Sequence, residues 1–121
     1  LYGDGNQRRS FTYIDDIVQG LMALLQYEGS GTFNFGSNET WSLNEVIDII
    51  EKSIGKKADI SYENRAYKDV DIVLPNLDKS NKILNWKPTI NIKDGILNTV
   101  NWYLANQDKL KDIKFKYDYE K

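Results

Sequence analysis

Residues 32–55 read TFNFGSNETWSLNEVIDIIEKSIG, and their reading decides the fold class. Thr32, Phe33, Asn34 and Phe35 form a β-prone run closed by Gly36, Ser37 and Asn38. Ser42 and Glu45 then stand at capping-box spacing, so that each can satisfy a free amide of the other at a helix start. Behind them Leu43, Val46, Ile47, Ile50 and Ile54 share one helical face, and Gly55 stops the helix. A strand that feeds a capped helix predicts an α/β arrangement.

The flanks repeat the pattern. Upstream, GDGN at residues 3–6 signals a hairpin or tight turn between Leu1-Tyr2 and residues 10–13, because both glycines tolerate positive φ. Thr12 and Asp15 have capping spacing, and Asp15 or Asp16 is expected to cap a helix whose apolar face carries Ile14, Ile17, Val18, Leu21, Leu24 and Leu25. That helix should run to Gly29-Ser30-Gly31. Downstream, residues 58–62 alternate like a strand, while residues 63–73 show no period. Asp78 is placed to cap a short helix through Ile83 and Leu84 to Trp86, ended by Pro88. A last helix carries Ile92, Ile96, Val100, Tyr103 and Leu104. The expectation is three or four helices with three short strands, a sheet too small to stand alone.

Composition narrows the chemistry. The 121 residues are 40% hydrophobic and 28% charged, with 18 acidic and 16 basic side chains, a formal charge of -2. That balance offers no broad cationic face for a nucleic acid. With no cysteine and no histidine, thiolate nucleophiles, Cys-type zinc sites and the usual neutral-pH base are excluded. No apolar run approaches the roughly 20 residues of a membrane-spanning helix, so a soluble, cytoplasmic protein is expected. Residue 1 is Leu, and the chain opens as if in mid-strand, which reads as a fragment.

Two arginines follow the glycine turn. Arg8 or Arg9 could bind phosphate oxygens in a fork while the glycines let the backbone approach; on spacing alone both read first as surface arginines beside a turn. Arg65 and Asp69 occupy the aperiodic stretch, where a loop could offer a cation to phosphate and a carboxylate to a sugar hydroxyl, or could form a surface ion pair. Asp15 and Asp16 point in different directions at a helix start, which favours capping over metal or acid–base work. Trp41, Trp86 and Trp102 could stack on a base, but Trp86 and Trp102 sit in helical patterns that favour core packing.

In order, GDGNQRRSFTYIDDIVQGL, TFNFGSNETWSLNEVIDII, Arg65 with Asp69, and LDKSNKILNWKPTINIKDGILNTVNWYLAN resemble the C-terminal part of the NAD-dependent nucleotide-sugar epimerases and dehydratases. These are the extended short-chain dehydrogenases, and the likeness covers residues 1–106, leaving 107–121 as a polar tail. The resemblance implies the substrate-binding part of an extended Rossmann-type enzyme. It further implies that Arg9 and Arg65 grip a diphosphate, Asp69 holds the ribose, and Tyr2 lies near the base. Ser10 stands where the family usually has Asp, a departure expected to weaken a local salt bridge while leaving Arg9 in place. Ser42 is assigned to its cap and not to ligand.

The family's glycine-rich NAD loop and Tyr-x-x-x-Lys pair have no counterpart here. Tyr13 is followed four residues on by Ile17 and Tyr62 by Ala66, and the Tyr117/Lys121 spacing in the tail is attributed to chance. No catalytic residue, no NAD ligand and no metal ligand is therefore assigned. NAD, a UDP- or dTDP-linked sugar and an NAD domain upstream are the implied cofactor, substrate and partner, in a homodimeric parent protein. The leading expectation is a UDP-sugar 4-epimerase part. The alternatives are a dTDP-glucose dehydratase or UDP-glucuronate decarboxylase part, or a silent binding module.

Overall fold

The computed structural model describes residues 1–64, 69–111 and 113. Three two-residue strands, β1 (Arg8–Arg9), β2 (Trp41–Ser42) and β3 (Ile72–Val73), accompany five helices: α1 (Ile14–Leu25), α2 (Leu43–Ile54), α3 (Asp78–Leu84), α4 (Ile92–Ala105) and α5 (Gln107–Leu110). The class is α/β, as expected, with one more helix, since α5 forms inside the stretch expected to be tail. β1 is the central strand. It pairs antiparallel with β2, Arg8 opposite Ser42, and parallel with β3, Arg8 opposite Ile72.

None of the three strands falls where alternation predicts one. Two residues carry no period, so a pattern search has nothing to find. Residues 32–35 and 58–62 are not strands, because among the described residues they have no ladder partner. The expected hairpin is also absent: Tyr2 bridges in parallel to Glu63, not to residues 10–13. The Glu63 N–H donates to the Leu1 carbonyl at 2.7 Å, and the Gly3 N–H to the Glu63 carbonyl at 2.8 Å.

The helix ends separate local from long-range logic. α2 forms as expected: the Glu45 N–H donates to Ser42 Oγ at 3.1 Å and the Ser42 N–H to Glu45 Oε2 at 2.7 Å. Its C-cap Gly55 is left-handed, φ 68°. α4 is capped by Asn91, whose Oδ1 accepts from the Asp94 N–H at 3.0 Å. α3 is not capped by Asp78. Asn76 Oδ1 accepts from the Asp78 N–H at 2.8 Å, and the helix ends at left-handed Asn85, before Pro88.

α1 starts after Tyr13 with no side-chain cap, and it ends at Leu25, ahead of the expected glycines. Asp16 is not a cap. Its carboxylate is completely buried and reaches across the fold, where Oδ1 accepts from the Thr89 N–H at 3.0 Å and the Thr89 hydroxyl at 2.8 Å, and Oδ2 from the Ile90 N–H at 3.0 Å. The Trp86 indole N–H donates to the Asp16 carbonyl at 2.8 Å. Each of these donors belongs to a loop that no local pattern could connect to α1.

Trp86, 5% exposed, is the only fully buried hydrophobic side chain among the described residues. Phe35 meets it edge to face at 4.8 Å. Gly20 admits this packing: a Cβ there would lie 2.6 Å from Phe35 Cδ1. Ser80 closes the cluster by donating its hydroxyl to the Asn34 carbonyl at 2.5 Å. Trp102, expected in the core, is 53% exposed instead. The apolar face of α1 is likewise open, with Ile14, Val18, Leu21 and Leu25 all exposed. α2 and α4 pack on each other, and their apolar faces meet residues 11–14 around a concavity of about 600 Å³.

Candidate functional site at the glycine turn

The GDGN turn is fastened by its neighbours. Gly5 has φ +77°, a value that L side chains rarely adopt, and a Cβ on it would lie 2.2 Å from Asn44 Oδ1. Asn44, in the first turn of α2, donates its backbone N–H to the Gly5 carbonyl at 3.1 Å and its side-chain amide to the Asp4 carbonyl at 3.0 Å. Within the turn, Asp4 Oδ1 accepts from the Asn6 N–H at 2.9 Å. A rigid loop thus projects from the end of α2 toward β1 and β3.

The two arginines that follow diverge, because successive residues of a strand face opposite sides. Arg8 is structural. Its Nε donates to Thr40 Oγ1 at 3.2 Å, Nη2 to the Thr40 carbonyl at 2.5 Å and Nη1 to Glu45 Oε2 at 3.0 Å. It thereby ties β1 to the capping box of α2. The Glu45 carboxyl is held below its ordinary range, first by the Ser42 backbone N–H, then by the Ser42 hydroxyl and by Arg8.

Arg9 turns the other way. Its Nη1 donates to the carbonyls of Arg8 at 2.8 Å and Val70 at 2.9 Å, and its Nη2 meets Asp69 Oδ2 at 2.6 Å. Asp69 Oδ1 accepts from the Val70 N–H at 2.8 Å. The side chains of Arg9 and Asp69 are 26% and 28% exposed, so the pair is partly shielded and its guanidinium is fixed in orientation. Ser10 exchanges hydrogen bonds with the backbone of Ser37 at 2.8 and 2.9 Å. It anchors the residue after Arg9 by neutral bonds.

Beside this pair, Gly3, Asp4, Asn6, Gln7, Asp69, Val70 and Asp71 line a polar concavity of about 380 Å³. The larger concavity between α2 and α4 has no charged side chain in its wall and offers nothing to hold phosphates, so the candidate site lies at the turn. Arg9 and Asp69 are brought together. The Tyr2 ring stands 61% exposed at the bridge to Glu63. Arg65 lies outside the described residues, as do Tyr117 and Lys121. Sequence reasoning misses the contribution of Asn6, Gln7 and Asp71. Only the proximity of the first two to the glycine turn could draw attention to them.

Among the described residues no group of three or more His, Cys, Asp or Glu side chains is placed to hold a metal ion, and no helix is long and apolar enough to cross a membrane.

The family model described as GDP-mannose 4,6 dehydratase matches residues 1–99. The chain is 43% identical over 115 residues to UDP-glucuronate 4-epimerase of Thermodesulfobacterium geofontis, an alignment covering 94% of this chain and 36% of that protein. It is 31% identical over 116 residues to UDP-glucuronic acid decarboxylase 1 of Arabidopsis thaliana, covering 93% of this chain and 27% of the relative. The fold matches the crystal structure of dTDP-glucose 4,6-dehydratase from Bacillus anthracis in complex with NAD at a TM-score of 0.82 and 28% identity, over 94% of this chain and 37% of that one. The chain therefore spans about a third of the length of these relatives.

Proposed function

The chain belongs to the family of nucleotide-sugar epimerases and dehydratases, the extended short-chain dehydrogenases, and we propose that it forms the nucleotide-sugar-binding part of an NAD-dependent enzyme of that family. Residues 1–106 supply this part and 107–121 a tail. In this reading Arg9 and Arg65 hold the diphosphate, Asp69 the ribose, and Tyr2 borders the base. The observation that carries it is the meeting of Arg9 and Asp69, 60 residues apart in sequence, at 2.6 Å beside the glycine turn. Phosphate and ribose are adjacent in a nucleotide, so their binding groups should converge as these do.

The cofactor is NAD, and hydride transfer at the sugar falls to residues outside this chain. What this chain contributes is placement: anchoring the nucleotide holds the sugar in register for reaction. The exposed apolar face of α1 and the apolar concavity beside α4 are the surfaces on which the NAD-binding part would pack, consistent with a chain that spans a third of its relatives. A UDP-sugar 4-epimerase is the favoured reaction, since identity to the epimerase is 43% against 31% for the decarboxylase.

Calorimetric titration of the chain with UDP and with dTDP tests this reading. Binding of either, weakened about tenfold or more by Arg9→Ala through loss of a charge-assisted hydrogen bond, supports it. Equal affinity of the parent chain and the Arg9→Ala variant sinks it, and a silent scaffolding module then becomes the better description.

A further inference from the structure

We propose that Asn44 is a positioning residue of the candidate site: from the first turn of α2 it holds the glycine turn in the shape that receives the nucleotide. The inference rests on the nucleotide-binding reading above and adds the residue that sets the geometry of that site from behind.

The turn cannot set its own shape. Gly3 and Gly5 both have positive φ, 81° and 77°, and glycine loses more conformational freedom on ordering than any other residue. Gly3, Asp4, Asn6 and Gln7 form one side of the polar concavity, so a loose turn is a loose wall. Asn44 stands behind them, half-buried and outside that wall. Its backbone N–H, one of the amides that a helix start leaves free, donates to the Gly5 carbonyl at 3.1 Å. Its side-chain amide donates to the Asp4 carbonyl at 3.0 Å and to Asn6 Oδ1 at 3.1 Å. Three successive residues of the turn are thus tied to one residue of a helix that is capped at both ends.

The direction of these bonds is fixed as well. Asn6 Nδ2 donates to Asp4 Oδ2 at 2.9 Å, and an ionised carboxylate only accepts. The Asn6 amide therefore has its oxygen toward Asn44, and Asn44 must present its NH₂ there. Asn44 Oδ1 is left facing Gly5, where it fills the space that a Cβ would need. An aspartate could not stand in, because its oxygens would face the Asp4 carbonyl and Asn6 Oδ1. Holding the turn before the ligand arrives removes an ordering cost from binding, which is how a residue outside the wall raises affinity.

The test combines NMR order parameters of the Asp4, Gly5 and Asn6 backbone amides with calorimetric titration of UDP, in the full chain and in its Asn44→Ala, Arg9→Ala and Ser42→Ala variants. Ser42→Ala removes a cap bond of the same helix start without touching the turn, and so controls for general loss of stability. In Asn44→Ala the order parameters should fall from about 0.85 to below about 0.6. UDP should bind on the order of tenfold more weakly, as expected for the loss of two neutral hydrogen bonds. Ser42→Ala should change neither. Unchanged UDP affinity in Asn44→Ala overturns the inference, and so does a weakening that Ser42→Ala matches. Weaker binding with an unchanged turn overturns it too, since Asn44 would then act by another route. Asn44→Leu, of similar volume and without the donors, repeats the measurement if the Ala variant fails to fold. The underlying reading is scored apart: Arg9→Ala without effect on UDP defeats that reading and this inference with it, whereas an Arg9 effect with no Asn44 effect defeats this inference alone.

Discussion

Replacing Asp16 by Asn should destabilise the fold far more than replacing its neighbour Asp15. Asp16 is fully buried and accepts three hydrogen bonds, two at Oδ1 from Thr89 and one at Oδ2 from the Ile90 N–H. An amide of the same shape can present only one acceptor. With its oxygen toward Thr89, its NH₂ faces the Ile90 N–H; turned over, it faces the Thr89 N–H. Either way one backbone donor meets a donor, and the bonds that remain lose their charge assistance. Loss of one hydrogen bond to a charged group costs about 1.5–3 kcal/mol. For a domain of this size about 4 °C of Tm follows each kcal/mol, so Asp16→Asn should lower the melting temperature by roughly 6–12 °C. Asp15→Asn, at an exposed position, should move it by about 2 °C or less. Thermal unfolding followed by circular dichroism measures both. Equal shifts for the two variants would refute the assignment of Asp16 as the link between α1 and the loop before α4.

Three further outcomes follow from the same contacts. Ser42→Ala removes the acceptor for the Glu45 N–H and should cost about 1 kcal/mol in urea unfolding. The Glu45 carboxyl is held below its ordinary value of 4.5, so its contribution to stability is present above that value and is lost as pH falls through the lowered folded value; Glu45→Gln should flatten the acid side of a stability–pH curve in that window. The open apolar face of α1 should make the chain self-associate in sedimentation velocity, and Leu21→Lys together with Leu25→Lys should reduce that association; a monomeric parent chain, or sedimentation unchanged by the double substitution, would show that this face is not adhesive.

Sequence reading succeeds where the determinants are local. The capping box of Ser42 and Glu45, the stop at Gly55 and the presence of α4 each depend on residues within a few positions of one another. Arg8 and Arg9 diverge as successive residues of a strand must, and Arg8 faces Thr40 and Glu45. What escapes is set at a distance. β3 has two residues and no pattern. Asp16 carries every local mark of a cap, yet its partners stand 73 and 74 residues away. The meeting of Asp69 with Arg9 spans 60 residues, and no local pattern points to it. Trp102 follows a helical period, but the surface that would cover it is not supplied by the described residues.

The central position of β1 also orders the assembly of the protein in time. α2 carries both of its caps within its own few residues and can form early, at a cost in chain entropy that is purely local. The Arg9–Asp69 pair instead closes a loop of 60 residues, about 3.6 kcal/mol of closure entropy before any contact repays it. The Asp16 contacts close longer loops still. Arg9 and Asp69 are therefore expected to acquire their geometry late in folding, after the helices on either side have formed. Substitutions at this pair should accelerate unfolding while leaving the refolding rate nearly unchanged.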